Sequence, residues 1–156
     1  VAWDAGVVLG AEYHIKLRKD ITTCLEAGGS DDVRVQACLS GCSQQRWIFE
    51  LGDDGYLRLR SSSQALGQDS ASLYLAHLPE SDKLRMSSVG SLFTIEMHGG
   101  QHFVSLVEKE TGKNLALDFG ARQVCGSSAK LEKYEQHKNW EERHWLLSLV
   151  PVDPAD

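Results

Sequence analysis

Short runs in which apolar and polar residues alternate dominate the chain. Tyr13-His14-Ile15-Lys16-Leu17, Val33-Arg34-Val35, Tyr56-Leu57-Arg58-Leu59-Arg60 and Leu73-Tyr74-Leu75 are four of them, and the stretches Leu92 to Met97 and Phe103 to Val107 behave alike. A period of two is that of a half-buried strand, because successive strand side chains point to opposite faces. Between the runs stand Gly28-Gly29-Ser30-Asp31-Asp32, Gly52-Asp53-Asp54-Gly55, Ser61-Ser62-Ser63 and Gly99-Gly100. These residue types supply the positive φ angles and local side-chain hydrogen bonds of turns. The Asp53-Asp54 pair, set between glycines, is expected at a hairpin tip rather than in a metal site. No window keeps an apolar period of 3.6 over three turns. The segment from Lys130 to Arg143 has the charge for a short helix but too few apolar positions for a long one. Many short strands divided by turn signals predict an all-β barrel or sandwich.

The strands recur in a larger rhythm. Three segments open with an aromatic and an alternating strand: Tyr13 to Leu17, Tyr56 to Leu59 and Phe103 to Leu106. Each continues to a small residue followed by leucine, at Cys24-Leu25-Glu26, Ala65-Leu66-Gly67 and Ala116-Leu117-Asp118. A second strand is expected at Val33-Arg34-Val35, Leu73-Tyr74-Leu75 and Leu131-Glu132-Lys133-Tyr134. Each unit closes on an aromatic strand beginning at Trp47, Phe93 or Trp145, 46 and 52 residues apart. A lone unit of four strands cannot bury its own apolar face, so three such units must close on one another. The count predicts a β-trefoil of about twelve short strands, each unit giving two strands to a barrel and two to a hairpin cap. The expected units run about 6–51, 52–98 and 99–150, within a single domain spanning 1–150. The tail 151–156, with two prolines, reads as a linker. The start at Val1-Ala2-Trp3-Asp4 has neither Met nor a signal core, and is expected to mark a mature or excised fragment of a larger polypeptide.

Composition narrows the function. The 156 residues are 42% hydrophobic and 24% charged, an ordinary globular balance for one domain. The formal net charge of -6, with no basic run, argues against nucleic acid as a partner, since phosphate contacts need clustered Lys and Arg. The same acidity disfavours a heparin-binding growth factor. No apolar stretch reaches the length of a membrane span. Neither a G-x-S-x-G elbow nor an H-E-x-x-H run is present, and Glu26-Ala27-Gly28-Gly29-Ser30 lacks the Lys-Ser/Thr of a phosphate loop. The chain is expected to be non-catalytic and to use no cofactor. There is no Asn-x-Ser/Thr sequon.

Four cysteines, Cys24, Cys38, Cys42 and Cys125, leave three pairings open. Cys38-Leu39-Ser40-Gly41-Cys42 has a spacing found in zinc sites, but a second tight cysteine pair is missing. No metal site is expected.

The sequence around these cysteines resembles a known family. Cys24-Leu25-Glu26, then Val33-Arg34-Val35-Gln36-Ala37-Cys38, then Gln45-Arg46-Trp47-Ile48-Phe49 is similar to one repeat of the ricin B-chain type of β-trefoil lectin. That family is marked by a C-L-D segment, a V-x-L-x-x-C strand and a Q-x-W closure. Ala116-Leu117-Asp118 and Arg143-His144-Trp145 echo it in unit three, with Arg in place of Gln, and Leu92-Phe93-Thr94-Ile95 echoes it faintly in unit two. The resemblance implies that Cys24 pairs with Cys38, and leaves Cys42 and Cys125 without counterparts. It also implies an extracellular or secretory-pathway setting.

In such lectins an acid just after C-L accepts hydrogen bonds from sugar hydroxyls, an aromatic on the next strand stacks on the CH face of the ring, and an Asn beside Q-x-W completes the set. Carried onto this chain, unit three keeps the acid as Asp118 and the stacking ring as Tyr134, with Asn139, Glu142 or His144 as helpers. In unit one the acid is Glu26, Gln36 stands where a ring should stack, and Gln44 takes the Asn position, giving a weaker second site. Unit two has Gly67 and Ala76 and no site. The expected ligand is a galactose- or N-acetylgalactosamine-type glycan or glycoprotein. Trp47, Phe93 and Trp145 are expected in the core, Gln45 as a backbone clamp, and Cys24 and Cys38 as structural. The other reading is a β-trefoil protein-interaction module for adhesion, a toxin assembly or an adaptor, which has lost sugar binding. An open hollow at Asp118 and Tyr134 would favour the lectin. An exposed patch of Trp140 with the Arg122–Lys130 loop would favour a protein partner.

Overall fold

The computed structural model describes residues 6–29, 32–63, 73–78, 81–97, 103–117, 128–132 and 143–151. Twelve strands account for most of them: β1 Glu12–Leu17, β2 Asp20–Gly29, β3 Asp32–Ala37, β4 Trp47–Leu51, β5 Leu57–Ser61, β6 Tyr74–His77, β7 Leu84–Ser87, β8 Phe93–Met97, β9 Phe103–Glu108, β10 Asn114–Leu117, β11 Ala129–Glu132 and β12 Trp145–Leu149. Antiparallel pairing runs β1 to β4, β4 to β5, β5 to β8, β8 to β9, β9 to β12 and β12 back to β1. Six strands thus close a barrel, and the remaining six form the hairpins β2–β3, β6–β7 and β10–β11. This is the β-trefoil that the sequence rhythm predicts.

Alternation builds the core. Tyr13, Ile15 and Leu17 of β1, Leu57 and Leu59 of β5 and Leu106 of β9 are buried, while Lys16, Arg58 and Arg60 between them are only half-buried. Trp47, Phe93 and Trp145 begin the closing strands, each with no exposed surface. The inward place of Leu17 is taken by Ser61 in unit two and Glu108 in unit three, because each pairs with the closing aromatic of its neighbour: Leu17 with Trp145, Ser61 with Trp47, Glu108 with Phe93. A buried carboxylate there needs donors. The turn after β9 provides them: Glu110 N at 3.2 Å, Thr111 N at 2.9 Å and Thr111 Oγ1 at 2.7 Å. The chain then turns at Gly112, whose φ of +69° a Cβ would strain.

The three units are joined by equivalent hydrogen bonds. Arg18 N donates to His144 O (3.0 Å), Ser62 N to Arg46 O (2.9 Å) and Lys109 N to Leu92 O (2.8 Å). Side chains finish the three joints with different chemistry. The Arg18 guanidinium lies over the Phe103 ring at 4.5 Å and the Lys109 ammonium over Tyr56 at 4.7 Å. In the third joint Ser62 hydrogen-bonds Glu12. Asp53 and Asp54 do sit at a tight connection, a 3₁₀ turn Asp53–Gly55 between β4 and β5 in which Asp54 and Gly55 both have positive φ.

The hairpin registers correct the expected alignment of the units. Lys16 pairs with Cys24, Arg60 with Tyr74 and Val107 with Asn114. Within the hairpins Leu25 faces Val35, Leu75 faces Met86 and Leu115 faces Leu131. The counterparts of Cys24-Leu25-Glu26 are therefore Tyr74-Leu75-Ala76 and Asn114-Leu115-Ala116. They are neither Ala65-Leu66-Gly67, which lies outside the described residues, nor Ala116-Leu117-Asp118. Leu73-Tyr74-Leu75 leads into the first hairpin strand of unit two, not the second. The second is β7, an alternating run that the sequence reading passed over. In the segment expected as a short helix, Lys130 to Glu132 belong to β11.

Candidate functional site

Unit one shows how a hairpin is fastened to its closing strand. The Trp47 indole N–H donates to Leu25 O at 2.9 Å. Gln45 is fully buried; its Nε2 donates to Ala37 O (2.8 Å) and its Oε1 accepts from Leu39 N (2.8 Å). A disulfide between Cys24 and Cys38, with Cα atoms 5.1 Å apart, ties the two hairpin strands together where they leave the barrel. The pairing agrees with what the resemblance implies.

Glu26 follows directly and is 7% exposed. Its Oε2 accepts from Arg34 Nε at 3.2 Å across the hairpin, and its Oε1 from Gln45 Nε2 at 3.2 Å. The Cys42 thiol, which is free, lies 3.8 Å from Oε1. Three donors hold the carboxylate, which leaves a small part of its acceptor capacity facing outward. Gln44 is half-buried in the 3₁₀ turn Ser43–Gln45, next to Gln45. Gln36, opposite Cys24, brings no ring to this face.

Unit three repeats the fastening with altered parts. Trp145 Nε1 donates to Leu115 O at 2.9 Å, which makes Leu115 the partner that Leu25 is in unit one. The place of Glu26 falls to Ala116, and the place of Gln36 to Glu132, which stands opposite Asn114. Arg143 replaces Gln45 and is buried. His144 is 7% exposed, and its Nδ1 accepts from Arg18 Nη1 at 3.1 Å, so it is packed inside the joint with unit one. Asp118, Tyr134, Asn139 and Glu142 lie outside the described residues, as do Cys125 and Trp140.

In unit two the Phe93 side chain has no N–H to offer, and Leu75 O accepts instead from Ser91 N at 3.1 Å. Tyr74 takes the place of Cys24. Its hydroxyl donates to Glu50 Oε1 at 2.8 Å, and Glu50 Oε2 accepts from Arg60 Nε at 2.6 Å. The bond to Glu50, followed by burial, raises the Tyr74 phenol above its ordinary pKa. Ala76 stands where Glu26 does, opposite Arg85 rather than Arg34. The cation that answers Glu26 is thus present in all three units, as Arg34, Arg85 and Lys130, while the carboxylate survives in the first alone. The sequence reading missed Arg34 as a partner of Glu26; the hairpin register was the signal that could have found it. Among the described residues no group of three or more His, Cys, Asp or Glu side chains is arranged to hold a metal ion, and no helix is long and apolar enough to cross a membrane.

No protein-family model matches the sequence, and no curated protein matches it at significance. Solved structures do. A ricin B-like lectin from Macrolepiota procera, solved in complex with lactose, superposes with a TM-score of 0.70 at 17% identity, over 91% of this chain and 97% of the other. The chain has the β-trefoil fold of ricin B-like lectins. A designed threefold-symmetric protein, ThreeFoil, matches with a TM-score of 0.69 at 18% identity, over 88% of this chain and 97% of its own. A mosquitocidal holotoxin matches with a TM-score of 0.74 at 16% identity, over 93% of this chain but 18% of the toxin's.

Proposed function

We propose that this chain is a non-catalytic carbohydrate-recognition module for galactose- or N-acetylgalactosamine-type glycans. The observation that carries the reading is the closure of unit one. Gln45 and Trp47 bind the β2–β3 hairpin through Ala37 O and Leu25 O, and Gln45 Nε2 also holds the largely buried Glu26 carboxylate. A carboxylate so fixed accepts from vicinal sugar hydroxyls at little ordering cost. Glu26 with Gln44 forms the site of unit one. In unit three we assign Asp118 and Tyr134, with Asn139, Glu142 and His144, on the sequence resemblance, since the hairpin register puts Ala116 rather than Asp118 at the Glu26 position. Asp118 follows the end of β10 and Tyr134 follows the far end of β11. The module works outside the cell as part of a larger polypeptide, a setting in keeping with its Cys24–Cys38 disulfide.

The test is retention on galactose- and N-acetylgalactosamine-agarose. The folded protein should be held and then released by the free sugar. Passage through both columns would contradict the proposal.

One observation favours the alternative, a protein-interaction module. Leu51, Met97 and Leu149, each four residues past a closing aromatic, form an exposed apolar rim at the barrel mouth. Beside Met97 and Leu149 opens a hollow of ≈ 330 Å³ lined also by Val7, Tyr13 and Leu147. Apolar surface of this kind suits a protein contact better than a sugar.

A further inference from the structure

A second hollow, of ≈ 370 Å³, lies away from the hairpin positions discussed above and is lined by His77, Ser81, Asp82 and Lys113. It is built across two units: His77, Ser81 and Asp82 come from the β6–β7 hairpin of unit two, and Lys113 precedes β10 of unit three. Its volume falls in the ~300–1,000 Å³ range of small-ligand sites.

The lining is fixed by backbone bonds. His77 N donates to Ser91 Oγ at 2.8 Å. Asp82 O accepts from Leu131 N, and Lys113 O from Glu108 N, at 2.8 and 2.9 Å. Leu78 N closes the hairpin end on Lys83 O at 2.9 Å. The backbone that carries the polar groups is thereby held before any ligand arrives.

Their chemistry alternates. Lys113 Nζ and Asp82 Oδ1 pair at 2.5 Å with side chains 33% and 50% exposed, so spare ammonium protons and the second carboxylate oxygen face solvent. The His77 Nε2 contacts the Ser81 carbonyl. A carbonyl only accepts, so Nε2 is the donor in this contact. Ser81 Oγ already accepts from Lys83 N at 3.1 Å, and its own hydroxyl hydrogen is left to donate. Among the described lining residues one cation, Lys113, is balanced by one carboxylate, Asp82, beside a hydroxyl and an imidazole. An anion would require the lysine without its carboxylate. A neutral polyol, whose adjacent hydroxyls each donate and accept, matches the set. No aromatic side chain is among the described residues that line the hollow, which suits the hydroxyl-bearing edge of a sugar rather than its CH face.

We infer that this hollow at the junction of units two and three is an additional subsite for a neutral sugar, held by its edge between Asp82 and Lys113. The inference rests on the carbohydrate reading above.

The test is an amide NMR titration of the whole chain with methyl β-galactoside, and separately with sodium sulfate. The sugar should give saturable shifts at His77, Ser81, Asp82 and Lys113, and sulfate should not. Asp82→Asn and Lys113→Met should each weaken the sugar response at these amides roughly tenfold, the loss of one charge-assisted hydrogen bond. Asp118→Ala should leave it unchanged. Sugar-induced shifts confined to the β2–β3 or β10–β11 hairpins would overturn this subsite and leave the carbohydrate reading standing. The absence of sugar-induced shifts anywhere would overturn both. Shifts at these amides with sulfate alone, or undiminished in both variants, would overturn the neutral-sugar assignment.

Discussion

Single side chains close each unit, and the three units solve that task in different ways. Leu25 O and Leu115 O meet an indole N–H, while Leu75 O meets the backbone of Ser91 because Phe93 has none to give. Trp47→Phe removes the donor and leaves a buried carbonyl without a partner, which costs about 1–3 kcal/mol. Urea unfolding should show a lower midpoint at unchanged slope, and an unshifted midpoint would remove the indole bond from the account. His14 offers a pH test at the same scale. Its ring is partly buried and stands near Lys16 and Arg46; burial first, then these two cations, lowers its pKa from 6.5. Below pH 6.5 the unfolded chain takes up a proton that the folded imidazole resists. Its contribution to stability is therefore full above that pH and falls with acidification until the folded pKa is passed. A ring titration followed by NMR should give a midpoint below 6.5. His14→Gln should flatten that part of the stability profile.

At the scale of elements, hairpins matter most, because the three units differ most from one another there. The β2–β3 hairpin is bridged by Cys24 and Cys38, which close a loop of 14 residues. Replacing both by serine should lower stability by about 3 kcal/mol through the freed unfolded chain. Calorimetry reads the loss, and an unchanged melting temperature would contradict it. The strands themselves were legible in the sequence, since a period of two follows from the pleat. Their register was not. Moving a strand by two residues leaves every inward position inward, so the pattern cannot tell Ala116-Leu117-Asp118 from Asn114-Leu115-Ala116. Only the bond from Trp145 to Leu115 O decides it. Unit one escaped this ambiguity because Cys24, Cys38, Gln45 and Trp47 anchor the count. Unit two has no such anchors, and β7 went unrecognised although Leu84-Arg85-Met86-Ser87 alternates as cleanly as any strand. The lining of the junction hollow left no trace in the sequence, because Asp82 and Lys113 meet only through the closure of the barrel, 31 residues apart.

For the whole molecule, approximate threefold symmetry separates fold from function. The closing aromatics and the backbone bonds of the joints repeat, whereas the hairpins diverge: Glu26 in unit one against Ala76 and Ala116 in the others. A fold that needs three closures but few binding sites can lose sites singly and keep its barrel. Binding should therefore be concentrated in few places and be sensitive to few residues. The most direct measurement is a glycan array on the intact chain, read in parallel for Asp118→Ala and Glu26→Ala. The account predicts galactose- or N-acetylgalactosamine-terminated signals that each of the two variants weakens, each variant keeping the melting behaviour of a folded barrel. A blank array on folded protein would contradict it and turn attention to the apolar rim of Leu51, Met97 and Leu149.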